Sequence, residues 1–447
     1  MSVSSVPVLY DSLLKADLPP PFSKDVPVSF YACGITPYAP AHLGHARSFV
    51  VFDFMARWLT EQGYRVRLIR NVTDIDDKII KAAQEKGVNW HTFSHQQASV
   101  NRQWMTRLGV LDYEEPYASD YIAEIQDLIQ KLLDKQHAYV SDVTGDVLFD
   151  VSSFAGAALM PHKEGSLLSE NRVSAEGKRS AQDFVLWKPA KPDEPSWNSP
   201  WGLGRPGWHI ECSAMIQSLL GDTVHYHGGG VDLKFPHHQA EIQQSEAAYD
   251  RPLAHRWVHH GSVRDKDGKK MSKSLGNYVE LEDAWKDAEL IAPGWGGVIV
   301  RFALLSSLWT RPLDWDGRLL KTAWSNVQTW MKASRTSKAE PELASELIEV
   351  LNDNLNTPKA FAILHQWAQQ TEAGTHDYSG AIRYGLEVLG ITQADVERFN
   401  NPMVQQWSDE VLGLVEKRKA LRLQKQWQQA DEIRDTLRQL GYEVKDR

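Results

Sequence analysis

The chain has 447 residues, more than the roughly 250–300 that one hydrophobic core serves, so several domains are expected. Hydrophobic residues at 42% and charged residues at 24% are ordinary globular proportions; no apolar run approaches the ~18 residues of a membrane span, and residues 1–21 lack the basic-then-apolar pattern of a secretion signal, so a cytoplasmic location is expected. Two cysteines exclude a disulfide framework, and a net charge of −9 argues against a general nucleic-acid coat, which leaves any RNA contact local.

In chain order, a lead-in at residues 1–24 precedes an apolar strand predicted over 26–31. A free thiol, Cys33, and a Gly/Pro turn follow, and then His42-Leu43-Gly44-His45, which opens an apolar helical segment at 49–59. A helix start offers unpaired N–H groups and a positive dipole end, and Gly44 lets a nucleotide approach the backbone. Two histidines three residues apart share one helix face and can donate to the same phosphate oxygens. Residues 64–72 (YRVRLIRNV) alternate as a strand does and stop at TDIDDK, where Asp76 is placed to cap a helix beginning at Lys78. Strand, helix, strand begins a doubly wound parallel sheet, whose ligands bind beyond the carboxyl ends of the strands. Cys33, the HLGH segment and Thr73 would then share one rim.

From 88 to about 184 the pattern reads as mainly helical. Ile122, Ile125, Leu128, Ile129, Leu132 and Leu133 recur at helical spacing, as core packing does. A proline- and tryptophan-rich loop at 189–206 leads into GWHIEC at 207–212. Next comes HGGGVDLKFPHHQAE at 227–241, in which Gly228, Gly229 and Gly230 can bring backbone against a flat ring and Asp232 can accept from ribose hydroxyls; a flexible turn is the plain alternative. His237 and Glu241 stand at i and i+4 of a predicted helix. With Cys33 and Cys212 a thiolate, thiolate, imidazole, carboxylate set suited to zinc can be written, although spacing alone does not establish it, since Cys33 and Cys212 are far apart in sequence and a buried free cysteine is more often a small apolar residue. Lys270-Met271-Ser272-Lys273-Ser274 is a cationic loop between glycines. Helices are predicted at 300–308, 324–331 and 352–366, the last with Pro358 near its start. After a linker at 399–402, residues 416–447 read as a basic helix in which nine cations stand against six acids.

HLGH followed by KMSKS resembles the signature pair of class I aminoacyl-tRNA synthetases, and the intervening motifs resemble the cysteinyl-tRNA synthetases; the likeness covers essentially the whole chain. It implies an α/β fold: a class I synthetase Rossmann-like catalytic domain with an insertion, an α-helical bundle and a small C-terminal anticodon-binding domain. The implied boundaries are 1–115 and 206–260 for the catalytic halves, 116–205 for the connective insertion, 261–320 for the KMSKS loop and stem-contact region, 321–398 for the bundle and 403–447 for the anticodon domain.

The resemblance also implies roles for particular residues. Cys33, Cys212, His237 and Glu241 would be the ligands of one zinc ion per chain. Thr36, Thr73 and Trp208 would hold the remainder of L-cysteine, and His42, His45, Lys270 and Lys273 would act on the phosphates of ATP, which brings Mg2+. Arg422, Trp427, Asp431 and Asp446 would read the anticodon of tRNA-Cys. The expected enzyme is a monomer. Two other readings stay open. Ala39 and Pro40 stand where the family usually has an aspartate after Tyr38, and TPYAPAHLGHA also resembles the ligase that joins cysteine to an amino-inositol sugar in mycothiol synthesis. A non-catalytic paralogue that binds RNA is the third possibility.

Overall fold

A computed structural model describes residues 6–159, 176–271, 276–334 and 338–400, and near the C-terminus 413–414, 417–418, 420–422 and 426–439. Lys273 and Asp446 lie outside the described residues. Contacts divide the chain into two units: residues 1–281, 307–315 and 348–360 form the first, and 282–306, 316–347 and 361–447 the second.

The first unit opens with a hairpin of β1 (Leu9–Asp11) and β2 (Ala16–Leu18), followed by β3 (Val28–Ile35), α1 (Leu43–Glu61), β4 (Val66–Val72), α2 (Asp77–Glu85) and α3 (Trp90–Arg107). β3 runs further than the sequence predicts, so Cys33 sits in the strand rather than in the turn. Asp76 caps α2 by accepting from the Lys78 N–H at 2.8 Å, as expected. The stripe on α4 (Ile122–Asp134) packs as read: Ile125, Leu128, Ile129 and Leu132 are all buried.

The stretch read as mainly helical also holds strands. β5 (Ala138–Val140), β6 (Val147–Phe149), β7 (Phe184–Pro189) and β8 (Gly204–Pro206) form an antiparallel sheet in that order. Three of these have only three residues, too few for alternation to show in a sequence. β8 also falls inside the segment predicted to be a loop. Arg205 on β8 is buried and pairs with Glu194 and with Asp77 of the TDIDDK turn.

The chain then returns through α5 (Trp208–Leu220), β9 (Val224–Gly230), a kinked segment Lys234–His238, α6 (Gln239–Tyr249) and β10 (Ala254–His260). The central sheet has the order β10-β9-β3-β4, every pair parallel. Its carboxyl ends therefore lie on one edge, which carries Cys33, Thr36, Thr73, Gly230 and His260. A two-stranded parallel ladder of β11 (Val263–Arg264) and β12 (Leu313–Asp314) follows β10.

The second unit is helical, with α7 (Leu281–Ile291), α8 (Gly296–Leu304), α9 (Gly317–Ser334), α10 (Ser345–Asn352), α11 (Thr357–Glu372), α12 (Ser379–Leu389), α13 (Gln393–Asn400) and α14 (Trp427–Gln439). α7, α10 and α11 each have their first residues in the first unit or their last ones there, because the division falls inside them. Phe302, Trp330 and Phe361 cluster at 5.1–5.9 Å between ring centroids in its core. Pro358 stands at the second position of α11, where its missing N–H costs nothing. No helix among the described residues is long and apolar enough to cross a membrane.

Candidate active site

Four residues from distant parts of the chain meet under the carboxyl edge of the sheet. Cys33 comes from β3, Cys212 from α5, His237 from the kinked segment and Glu241 from the first turn of α6. Their ligand atoms all lie within 4.8 Å of one another, and all four side chains are buried. Cys33 Sγ is 3.9 Å from Cys212 Sγ and 3.5 Å from Glu241 Oε1, while His237 Nε2 is 2.9 Å from the same oxygen. Both thiols are free. Two sulfurs at ~2.3 Å from a tetrahedral zinc ion stand about 3.8 Å apart, so the observed spacing and the N/O/S donor set both fit that metal.

A layer of imidazoles around these four was not assigned from the sequence. His209 Nδ1 lies 2.8 Å from His237 Nδ1, which leaves His237 Nε2 as the inward atom. His227 bridges the Tyr31 carbonyl (3.0 Å) and Glu241 Oε2 (2.5 Å). His238 Nε2 approaches Cys33 Sγ at 3.2 Å and its Nδ1 lies 2.6 Å from His259 Nε2. Cys33, His227, His238 and Glu241 thus make a second four-donor set that shares two members with the first. The histidine-rich runs HGGG, PHHQ and the pair His259-His260 were the available signal.

Charge in this cluster follows from burial and pairing. The Cys33 interaction brings the Cys212 thiol down to about 6, against the opposing effect of burial. Burial instead pushes the Cys33 thiol well up. Burial would lower His237, but Glu241 and Cys212 overcome it and raise the imidazole to about 10. Burial would raise Glu241, and His227 and His237 hold it well below the usual carboxylate range. Burial brings His209 to about 3, so it is a neutral partner.

Trp208 borders this cluster, and Thr73 stands at the end of β4. The Trp208 ring stacks on His237 at 4.5 Å and 27° and remains partly exposed. Thr73 Oγ1 accepts from Asn71 Nδ2 at 3.1 Å, and the Thr73 N–H donates to the Ile35 carbonyl, tying the ends of β3 and β4 together. Thr36 follows β3 directly, half-buried.

The HLGH turn forms a reciprocal cap. His42 is the N-cap of α1; its Nδ1 accepts from the Gly44 N–H at 3.1 Å, and its own N–H donates to His45 Nδ1 at 3.3 Å. The two rings stack at 3.8 Å and 12°. With both Nδ1 atoms accepting, the proton of each neutral ring is on Nε2, which becomes the donor. Gly44 has a packing reason beyond the one read from sequence: a Cβ there would stand 2.9 Å from His42 Cε1. All three consecutive glycines likewise stand close against side chains, Gly230 against the Asp232 carboxylate. A Cβ at Gly228 would meet Phe52 at 2.7 Å, and one at Gly229 would meet His238 at 2.9 Å. All three are the last residues of β9 and not a turn. Gly230 faces Asp232, whose carboxylate pairs with Lys270 at 3.2 Å, both side chains being half-exposed.

Of the C-terminal residues, Arg422 lies 5.7 Å from the ring centroid of Trp427, which is exposed on α14, and Asp431 pairs with Arg434 at 2.7 Å.

Comparison with known proteins identifies the family. The family described as tRNA synthetases class I (C) catalytic domain matches residues 21–325. The cysteine–tRNA ligase of Legionella pneumophila (strain Paris) is 39% identical, over 98% of this chain and 97% of that one. The cysteine–tRNA ligase of Methylobacillus flagellatus is 40% identical with the same coverage. Among solved structures, Mycobacterium tuberculosis methionyl-tRNA synthetase in complex with methionyl-adenylate superposes with a TM-score of 0.57 at 15% identity, covering 83% of this chain and 90% of that one, a likeness of fold. On the strength of the matched family and of relatives aligned over nearly their full length, this chain belongs to the class I cysteinyl-tRNA synthetases.

Proposed function

We propose that the protein is a cysteine–tRNA ligase: it activates L-cysteine with ATP to cysteinyl-adenylate, transfers the aminoacyl group to tRNA-Cys, and distinguishes its amino acid by a zinc ion held by Cys33, Cys212, His237 and Glu241. The observation that carries this reading is the meeting of those four buried side chains beside Trp208, on the same sheet edge from which the HLGH turn departs. When bound, the metal supplies a soft Lewis acid that takes a thiolate in preference to a hydroxyl, where pocket shape alone separates cysteine from serine by only about 1–3 kcal/mol.

The chain's own residues do the rest. His209 and His227 orient the inner ligands His237 and Glu241, and His238 holds Cys33. Trp208 walls the amino-acid pocket, with Thr36 and Thr73 contributing polar contacts to the ammonium and carboxylate. The cysteine carboxylate attacks the α-phosphate of ATP and pyrophosphate leaves. Negative charge grows on phosphate oxygens as it does so, and the Nε2–H groups of His42 and His45 and the start of α1 donate to it. Lys270 and Lys273 add cationic charge from the KMSKS loop; Lys270 exchanges its contact with Asp232 for phosphate, which leaves Asp232 to accept from the ribose. Gly230 gives the nucleotide access to backbone. Magnesium enters on the ATP phosphates and asks few ligands of the protein. The terminal tRNA hydroxyl then attacks the adenylate carbonyl and AMP departs. Arg422, Trp427, Asp431 and Asp446 serve the anticodon by stacking and base-edge contacts.

The test is cysteine-dependent ATP–pyrophosphate exchange by zinc-loaded protein, followed by charging of purified tRNA-Cys. Exchange with cysteine and not serine, at one zinc per chain, is the expected result; exchange without charging overturns the acceptor assignment. The APAHLGHA turn favours one second reading, a ligase for a small amine, and condensation with an amino sugar in place of charging would establish it. Alignment with cysteine–tRNA ligases over 97% of their length supports tRNA as the acceptor.

A further inference from the structure

We infer that Arg47 is a positioning residue that fixes the segment bearing Lys270 against the HLGH helix, so that the imidazoles and the lysine converge on the same phosphates; this rests on the reading of Lys270 given above. Arg47 follows His45 by two residues on α1 and is fully buried. Its Nη2 donates to Ser307 Oγ at 3.0 Å, to the Leu308 carbonyl at 3.2 Å and to the Arg311 carbonyl at 2.7 Å. None of these acceptors is a carboxylate, and Nε and Nη1 find no hydrogen-bond partner among the described residues. A buried cation without a counter-ion is costly, so packing alone does not ask for a guanidinium at this place. What it provides is one donor group that grips three acceptors in a neighbouring segment.

That segment leads to Lys270 without a break. Residues 307–311 continue into β12, and the Gly261 N–H donates to the Trp309 carbonyl at 2.8 Å. Gly261 passes so close to the 311 backbone that a Cβ would fall 2.1 Å from the Arg311 carbonyl oxygen, which fixes the register. β12 pairs with β11 through Leu313 with Val263 and Asp314 with Arg264, and the Arg264 guanidinium grips the Asp314 carboxylate at 2.7 and 3.0 Å. The Met271 N–H then donates to the Val263 carbonyl at 3.0 Å, and Lys270 forms a bridge with Arg264. The other side of the loop is fastened to the start of α1 itself: the Leu43 N–H donates to the Val279 carbonyl, the Leu281 N–H to the Ala41 carbonyl, and His42 bridges Glu280. Both flanks of the KMSKS motif are thus anchored to α1, one of them through Arg47.

A positioning role makes a specific demand on a double-mutant cycle in the full-length, zinc-loaded chain: Arg47 matters only while Lys270 is there to be positioned. Arg47→Gln is expected to lower kcat for ATP–pyrophosphate exchange about 30-fold, with KM for cysteine within about twofold and zinc content unchanged. On a Lys270→Ala background the same substitution is expected to cost less than about threefold. Arg47→Lys, which keeps the charge but not the fork, falls between wild type and Arg47→Gln, and it replaces Arg47→Gln in the cycle should that variant fail to fold. Equal losses in both backgrounds, or a rise in KM for cysteine that parallels the fall in kcat, overturn the inference alone. A Lys270→Ala enzyme that exchanges at the wild-type rate overturns the reading of Lys270 and the inference with it.

Discussion

The two halves of the site are built on opposite principles. The thiolate, imidazole and carboxylate cluster is buried, drawn from residues separated by as many as 208 positions, and its charges are set by one another. The side proposed to take the phosphates is local and more open: His42 and His45 hold each other within one turn, and Lys270 meets Asp232 where both are half-exposed. A soft ligand has to be recognised in a dry, fixed cage, whereas a triphosphate that enters and leaves needs donors that can be uncovered.

The contrast predicts that substitutions on the two sides fail in different ways. The largest loss is expected for Cys212→Ser, at least about 10³-fold in cysteine activation together with loss of bound zinc, measured by exchange kinetics and by metal content; an active zinc-free protein would break the comparison. His45→Ala removes a proposed phosphate donor and leaves the cage untouched. Its exchange rate is expected to fall about 10²-fold at full zinc occupancy, and zinc loss would show that the halves are not separable. Trp427→Ala, outside both, is expected to raise KM for tRNA about tenfold with exchange unchanged, as loss of one stacking surface does. Gly44→Ala crowds the His42 ring and should cost a few-fold in exchange and about 1 kcal/mol in stability from a disturbed cap, read by thermal unfolding.

A last effect, on stability and not on either half of the site, concerns Glu211, the neighbour of Cys212. It is buried, and neither carboxyl oxygen has a hydrogen-bond partner among the described residues. Burial, then Cys212, Asp74 and Asp76, holds its carboxyl well above the usual range. The unfolded chain therefore ionises this group first, so the wild type loses stability as pH rises above about 4.5, with a slope of up to about 1.4 kcal/mol per pH unit. Glu211→Gln should flatten that slope in unfolding measured from pH 5 to 8; an unchanged slope would mean that this carboxyl is not the titrating group.

The same contrast governs what the sequence discloses. The HLGH cap spans four consecutive residues, so its helix start, its paired rings and the Asp76 cap downstream are all legible from local chemistry. The start of the parallel sheet is legible too, because β3 and β4 are eight and seven residues long, the first opening on an apolar run and the second alternating; β9 and β10 are not, since β9 ends in three glycines that read as a turn. The antiparallel sheet of the 138–206 stretch is not: its three-residue strands are held in register by one another, which no local pattern records. The cage can be written as a ligand list only through resemblance, and its supporting imidazoles escape even that, since pairings such as His227 with Glu241 exist only once β9 and α6 are packed. Gly228 and Gly229 invite a ligand-facing reading, yet Phe52 and His238 occupy the space they leave.

The first unit is not one continuous stretch of chain. Its leading edge is sewn to residues more than three hundred positions later, the Val8 N–H donating to the Asn352 carbonyl and the Asn354 N–H to the Val8 carbonyl, and Trp58 Nε1 on α1 donates to the Asn352 side chain. Since segments 307–315 and 348–360 belong to this unit, a ribosome making the protein has to deliver about residue 360 before the catalytic half can close. A nascent chain released shortly after the KMSKS motif would carry both signatures and still lack part of its own foundation.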